Sequence, residues 1–358
     1  MANPRFSIIC PAFNHEKYVS DFINSVIGQT VTDWELIIVD DCSSDNTVKI
    51  IKTFHDKRIK LVEHKTNGGI NAAINTGVEN ASGEYWVLIA SDDMLHLNAL
   101  EKIGQAFDEH PNVVAVYCNL DMVDENGKPR TDYVLPQLKN RSRASLLHDA
   151  FMDGNILYGP GMSMRAKYAK KMFPATPANC LFQDYIQNVQ LLIMGDIFII
   201  PQPVIRYRFM RDESNISAVG FYTDMRANLE TDSLMDVFLD IKDIDFLKDI
   251  FAKEIKESGI TVKKTGDIKY FLGRMAMLSG KTYRKVWGFH KIMDCYNADR
   301  QKMFRDYKFE FRDLVALVKS FERPVTAETK YKKYKRLFNL MLIIVVVLSV
   351  VAVYGFIK

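Results

Sequence analysis

The chain has 358 residues, 48% of them hydrophobic, and a formal net charge of +3. That length allows two domains or one large domain with an extension, the apolar share supports a full core, and so small a charge gives no ground for a nucleic-acid partner. Five cysteines, at 10, 42, 118, 180 and 295, are odd in number and form no Cys-x-x-Cys pair, which suits reduced core or site-lining residues.

In chain order, residues 6–10 predict a first buried strand closed by Pro11, too short for a signal peptide and running directly into folded sequence. Tyr18, Val19, Phe22, Ile23, Val26 and Ile27 fall on one face of a helix over 15–29. A second strand over 36–39 ends in Asp40-Asp41, and Ser44 or Asp45 is placed to cap the helix that follows to about Phe54. A third strand covers 59–62. Asn67-Gly68-Gly69 then turns the chain into a helix over 72–80, and 85–89 make a fourth strand that runs into Ser91-Asp92-Asp93. A helix over 98–110 and a fifth strand over 113–117 complete an alternation that calls for a parallel sheet with right-handed crossovers.

Two strands of one parallel sheet ending in acidic pairs deliver both pairs to the carboxyl edge, where open α/β sheets bind ligands. Adjacent carboxylates repel unless something positive lies near, and a hard divalent cation with oxygen ligands fits that need. The plainer reading of Ser91 or Asp92, a helix N-cap, accounts for one pair but not for the convergence of two.

Beyond 120 the pattern loosens. Asp124-Glu125-Asn126-Gly127 predicts a hairpin turn, 139–143 a basic surface loop, and the glycine-rich stretch 154–161 a turn leading into extended 162–164. A helix is expected over 180–194, then strands over 197–200 and 204–207 split by Pro201 and Pro203. From 221 to about 321 the periodicity is helical. Leu337 to Ile357 form an uncharged run behind Lys330, Lys332, Lys333, Lys335 and Arg336. At about 1.5 Å per residue that run is long enough for a ~30 Å hydrocarbon core. The basic cluster predicts a single-pass anchor with the N-terminal part on the cytoplasmic face of the inner (plasma) membrane. The expected division is therefore a catalytic part over 1–220, a helical extension over 221–329, and a juxtamembrane segment with anchor over 330–358.

Several blocks together resemble the family 2 glycosyltransferases, inverting enzymes with the GT-A fold, a mostly parallel Rossmann-like sheet flanked by helices. These are Ser7-Ile8-Ile9-Cys10-Pro11-Ala12-Phe13-Asn14; Gln29-Thr30 with Trp34 through Asp45; Asn67-Gly68-Gly69 with Asn75-Thr76-Gly77 and Ser82-Gly83-Glu84-Tyr85; Ala90-Ser91-Asp92-Asp93; Gln183-Asp184; and Tyr207-Arg208 with Ser214-Asn215-Ile216-Ser217. They stand in the family's order across roughly the first 220 residues. The resemblance implies a nucleotide-diphosphate sugar donor, most simply a UDP-sugar, and a glycan acceptor, lipid-linked if the anchor holds the enzyme at a membrane.

It also implies roles. Phe13 would flank the base, Asp41 bind its polar edge, and the Pro11 carbonyl and Asn67 lie close by. Asp92 and Asp93 would share the ribose and a Mn²⁺ or Mg²⁺ ion, Arg208 or Arg211 would meet the diphosphate, and Asp184 would be the general base. The chain departs from the family pattern at Phe13, Ile74, Ala90, Gln183 and Met210. Ala90 and Met210 leave open a membrane-anchored binding module that has lost turnover, and a similar sheet and metal would also serve a sugar nucleotidyltransferase. The second is disfavoured because Pro11 to Lys17 lacks the glycine of a phosphate loop.

Overall fold

The computed structural model describes residues 3–132, 134–179, 182–209 and 221–321, together with Lys335. Eight strands form one sheet: β1 (Phe6–Ala12), β2 (Trp34–Asp40), β3 (Ile59–Glu63), β4 (Tyr85–Leu88), β5 (Met94–Leu95), β6 (Ala115–Val123), β7 (Met162–Arg165) and β8 (Ile197–Arg208). Their spatial order is β3-β2-β1-β4-β7-β6-β8-β5. Strands β3, β2, β1 and β4 run parallel, as the alternation with α1 (Val19–Ile27), α2 (Thr47–Ile51) and α3 (Ile70–Glu79) requires. β7 is antiparallel to β4 and β6, and β8 is parallel to β6.

The continuous apolar strands are explained by burial on both faces. Phe6, Ile8 and Cys10 of β1 join Leu36, Ile38, Tyr85 and Val87 in a core with Phe22 and Val26 of α1 and with Leu100 and Ile103 of α4 (Ala99–Glu109). The opposite face sends Ile9, Trp86 and Leu88 into a second core with Leu147 and Phe151 of α5 (Arg143–Met152) and Val189 and Leu192 of α7 (Gln183–Met194). The short α6 (Ala166–Ala169) follows β7. Where the strands begin, buried Ser7 donates to Glu35 Oε1 at 2.6 Å and accepts the Gly83 N–H at 2.7 Å, so its hydroxyl is satisfied without water.

Two strand expectations need correction. The fifth strand is longer than 113–117, since β6 runs to Val123. The two strands expected around Pro201 and Pro203 are one strand, β8. Proline has no N–H for the ladder, and the β6–β8 register accordingly slips beside Asn119. The Asn119 side chain then donates to the Pro201 carbonyl at 2.8 Å, so that carbonyl keeps a partner.

The chain forms two compact units, 1–308 and 309–358. Within the first, the expected helical extension is present as α8 (Phe221–Asp236), α9 (Ile244–Ile250), α10 (Ala252–Ser258), α11 (Ile268–Ala276), α12 (Thr282–Ala298) and α13 (Arg300–Tyr307). It shares a core with the α/β part. Phe151 of α5 makes edge contacts with Phe238 and Phe251 at 4.9 Å and with Trp287 at 6.0 Å. The second unit carries α14 (Phe311–Leu317), opened by a reciprocal cap between Glu310 and Asp313.

The expected anchor, 337–357, lies outside the described residues. Among the described residues no helix is long and apolar enough to cross a membrane, so the expected placement as a single-pass protein at the inner face of a membrane is set aside. The apolar residues of α11 and α12, among them Phe271, Leu272, Met275 and Trp287, are consumed by the interior they line.

Helix α3 comes close to the sheet because Gly77 has no side chain: a Cβ there would lie 2.4 Å from Ile9 Cγ2. Gly77→Ala is expected to destabilise the fold by about 1–3 kcal/mol, as overpacking does, read as a lower urea midpoint at unchanged slope.

Candidate active site

The site is built where β1, β2, β4 and β8 end. After β1 the chain turns at Asn14, whose φ of 55° is in the left-handed region that asparagine tolerates. The Asn14 N–H donates to Ser43 Oγ at 2.9 Å and its side-chain oxygen accepts the Ser44 N–H at 2.8 Å, joining the turns after β1 and β2. Phe13 sits on that turn 44% exposed, too open for a core aromatic. The Pro11 carbonyl accepts the Ser91 N–H at 3.3 Å, and Ser91 Oγ lies 2.7 Å from His15 Nδ1, so the segment after β4 is fastened to the end of β1.

Asp41 is buried, and both its oxygens are occupied. Oδ1 accepts the Gly68 N–H at 2.9 Å and pairs with His64 Nδ1 at 2.7 Å, and Oδ2 accepts the Gly69 N–H at 2.7 Å. Asn67 donates to the Asp41 carbonyl at 3.1 Å. Asp41 therefore shapes the Asn67-Gly68-Gly69 turn, and Gly69, at φ +83°, takes a conformation suited to glycine. Its expected contact with a base would have to be made by a carboxylate already holding three donors.

The neighbouring aspartates divide differently. Asp93 is buried and accepts the Arg208 N–H at 2.9 Å, and burial, reinforced by the adjacent Asp92 charge, pushes its carboxyl well above the usual range against the opposing pull of Arg208. Asp92 is half-buried, and among the described residues nothing donates to its carboxylate. Its carbonyl takes Arg208 Nε at 2.8 Å.

Arg208 is 1% exposed. Besides Asp92 it donates to the Glu125 carbonyl at 2.7 Å and to Asp21 Oδ2 at 3.0 Å, and it lies over the Tyr18 ring at 4.7 Å. A guanidinium so enclosed is a tie between segments, with its donors directed to protein acceptors. Arg211 and Met210 lie outside the described residues, as do Ser214 to Ser217.

Asp184 is the second residue of α7. The register brings it to the same edge: Met162 pairs with Leu88, and the Gly161 N–H donates to the Leu88 carbonyl at 2.8 Å, so the loop before β7 lies at the end of β4. That loop holds Asp184. Asn155 Nδ2 donates to Oδ2 at 2.7 Å, and a Cβ on Gly159 would come within 3.2 Å of the same oxygen. Burial raises the Asp184 carboxyl to about 6, opposed by the bonds from Asn155 and from the backbone N–H groups of Tyr185 and Asp184 itself.

The eight expected residues thus gather at one edge with unequal freedom. Phe13, Asn67, Asp92 and Asp184 present groups outward, whereas Asp41, Asp93 and Arg208 are turned to protein partners, and Pro11 gives its carbonyl to Ser91. Sequence reasoning missed Asn155, His64 and Asp21. Asn155 falls within the glycine-rich stretch that carries the turn signal, but no local pattern shows which carboxylate it binds.

No side-chain cluster of three or more metal-ligating groups occurs among the described residues. A divalent ion at this edge would therefore have to draw most of its oxygens from a ligand, with Asp92 as the protein's contribution. That donor set suits Mg²⁺ or Mn²⁺, which are commonly held by one or two carboxylates with substrate phosphates and water.

Residues 7–173 match the family model described as Glycosyl transferase family 2. An uncharacterized glycosyltransferase of Rickettsia felis is 29% identical over 219 residues, 59% of this chain and 35% of that protein. The poly(ribitol-phosphate) beta-N-acetylglucosaminyltransferase TarS of Staphylococcus aureus is 33% identical over 128 residues, 35% of this chain and 22% of TarS. The chain thus spans about a third or less of the length of these curated relatives. The crystal structure of S. aureus TarS 1–349 in complex with UDP-GlcNAc superposes with a TM-score of 0.53 at 19% identity, covering 86% of this chain and 94% of that one. The fold is GT-A-like, with a helical extension.

A carboxyl raised to about 6 in the fold and near 3.9 when unfolded binds its proton more tightly in the native state. It favours folding below about pH 4 and loses that contribution as pH rises through about 6. Asp184→Asn should therefore gain stability relative to wild type over that interval and hold a constant advantage above it, measured as urea midpoints from pH 4 to 8.

Proposed function

We propose that this chain is a nucleotide-sugar-dependent glycosyltransferase that moves a sugar from a UDP-sugar to a glycan hydroxyl with inversion. The observation that carries the reading is the shared carboxyl edge, where an exposed aromatic, a glycine turn, an aspartate unpartnered among the described residues and a half-buried carboxyl of raised affinity for protons face one region. The family match over residues 7–173 and the glycosyltransferase names of the relatives support it. UDP is the nucleotide to test first because the TarS structure of the same fold holds UDP-GlcNAc.

In this reading Phe13 stacks on the base, a use for an aromatic too exposed to serve the core. The Asn67-Gly68-Gly69 turn, shaped by Asp41, lines the nucleoside side. Asp92, with its carboxylate free, meets the ribose or a Mn²⁺ or Mg²⁺ ion; such an ion supplies neutralisation of the charge that develops on the departing diphosphate. Asp93, held inward by Arg208, orients its neighbour and takes no ligand directly, which revises its expected part as a metal ligand.

Asp184 acts as general base. An acceptor oxygen attacks the anomeric carbon opposite the diphosphate, its proton passes to Asp184, and the bond to the leaving phosphate breaks with its electron pair. A carboxyl near 6 is mostly ionised at pH 7 and more basic than an exposed aspartate, as this task requires. The acceptor in this reading is a glycan hydroxyl; a lipid-linked form would rest on the segment 337–357, which lies outside the described residues.

The test is hydrolysis and transfer with a panel of nucleotide sugars, with and without Mn²⁺. Wild type should turn over one UDP-sugar, and Asp184→Asn should lose about 10²-fold or more, the usual range for a positioned base. Asp92→Asn should weaken the response to Mn²⁺ with Asp184 intact. Calorimetry showing no binding of UDP with or without Mn²⁺ would overturn the reading.

A further inference from the structure

The contact from Asn155 to Asp184 is the last link of a longer chain. Asn155 Oδ1 accepts Asn188 Nδ2 at 2.9 Å, and Asn188 Oδ1 accepts the Tyr117 hydroxyl at 2.6 Å. Tyr117 stands on β6 and Asn188 on α7, both buried, while Asn155 lies in the exposed loop before β7. The chain runs from the interior of the sheet to the carboxyl edge.

The direction of each link follows from groups whose polarity is fixed. A backbone N–H only donates and a carbonyl only accepts. The Leu157 N–H points to Asn155 Oδ1 at 3.5 Å, and the Leu157 carbonyl receives Asn188 Nδ2 at 3.5 Å. Both amides are thereby oriented with their nitrogens toward the edge. The Tyr117 hydroxyl has a second neighbour in Met162 Sδ at 3.3 Å. Thioether sulfur is a weak acceptor, so the hydroxyl proton goes to Asn188.

We propose that Tyr117, Asn188 and Asn155 form a one-way donor chain that positions Asp184 by holding its Oδ2. These are positioning residues, and the inference rests on the role given to Asp184 above. A chain that ends by donating favours the ionised carboxylate, the form a base needs, against the burial that disfavours it. Each link polarises the next, so the hydroxyl at the far end strengthens the bond at the near end.

The titratable neighbours do not compete. Burial pushes the hydroxyls of Tyr117 and Tyr185 up, with the Asp184 charge adding to the effect at Tyr117, so both stay neutral. The Arg284 guanidinium of α12 is directed to the Phe151 carbonyl and lies 3.4 Å from the Tyr185 hydroxyl.

The experiment follows the Asp184 carboxyl carbon by ¹³C NMR titration, assigned by its loss in Asp184→Asn, in the full chain. Tyr117→Phe removes the first donor with little change of shape, and Asn155→Ala removes the last. Loss of a donor to a carboxylate raises its midpoint, and most for the donor that touches it. Asn155→Ala is therefore expected to raise the Asp184 midpoint by about 1 and Tyr117→Phe by a few tenths, with the acidic limb of kcat/KM for donor turnover moving alongside.

Asn188→Ser breaks the same link from the other side and serves if Tyr117→Phe does not fold. A midpoint moved by Asn155→Ala but untouched by the Tyr117 or Asn188 variant would overturn the chain. Turnover that survives Asp184→Asn would overturn the base itself, a distinct result, since the midpoints are read without turnover.

Discussion

One enclosed cation holds the carboxyl edge together. Arg208, at the end of β8, reaches the Asp92 carbonyl, the hairpin carbonyl of Glu125 and the Asp21 carboxylate, with its own N–H on Asp93. Burying a guanidinium costs several kcal/mol unless its donors are used, and here the partners come from three segments distant in sequence. Because those acceptors are mostly backbone carbonyls, the arginine fixes the path of the chain as well as a charge. The Asp92-Asp93 pair follows β4, and at Asp93 burial and the Asp92 charge outweigh the opposing pull of Arg208.

A similar economy governs the nucleoside side. Asp41 receives two backbone N–H groups and an imidazole, so its charge is spent on the shape of a turn. The glycines there bring backbone donors close to a carboxylate, and a ligand entering this corner meets the turn that Asp41 has shaped. The helical extension supports the opposite corner through Arg284, which joins α12 to the Phe151 carbonyl and lies near the Tyr185 hydroxyl, next to Asp184 in the chain.

The α/β alternation of the first 120 residues was legible because periodicity and turn residues are local. Strand β8 was misread for the same reason: two prolines look like a break when only the local ladder is considered, whereas a register slip and the Asn119 side chain accommodate them. That these residues share one edge of the sheet was legible; what each one holds there was not. Acidic pairs after strands announce an edge, but whether a given carboxylate faces solvent or an amide depends on contacts between remote segments. Asn155 and His64 show the limit, since each matters only through a partner elsewhere in the chain.

Sorting the carboxylates by what they already hold separates framework from chemistry more sharply than counting them. Asp41 and Asp93 are satisfied by donors the fold supplies, and removing them would unmake turns. Among the described residues nothing donates to the Asp92 carboxylate, and Asp184 Oδ2 is held by a single loop side chain, Asn155. Asp92 and Asp184 differ from the other two in being only half-buried, so their remaining acceptor capacity is open to water or a ligand. The two exceptions lie on neighbouring loops, after β4 and at the start of α7 beside the loop before β7, where a bound ligand would supply the missing partners.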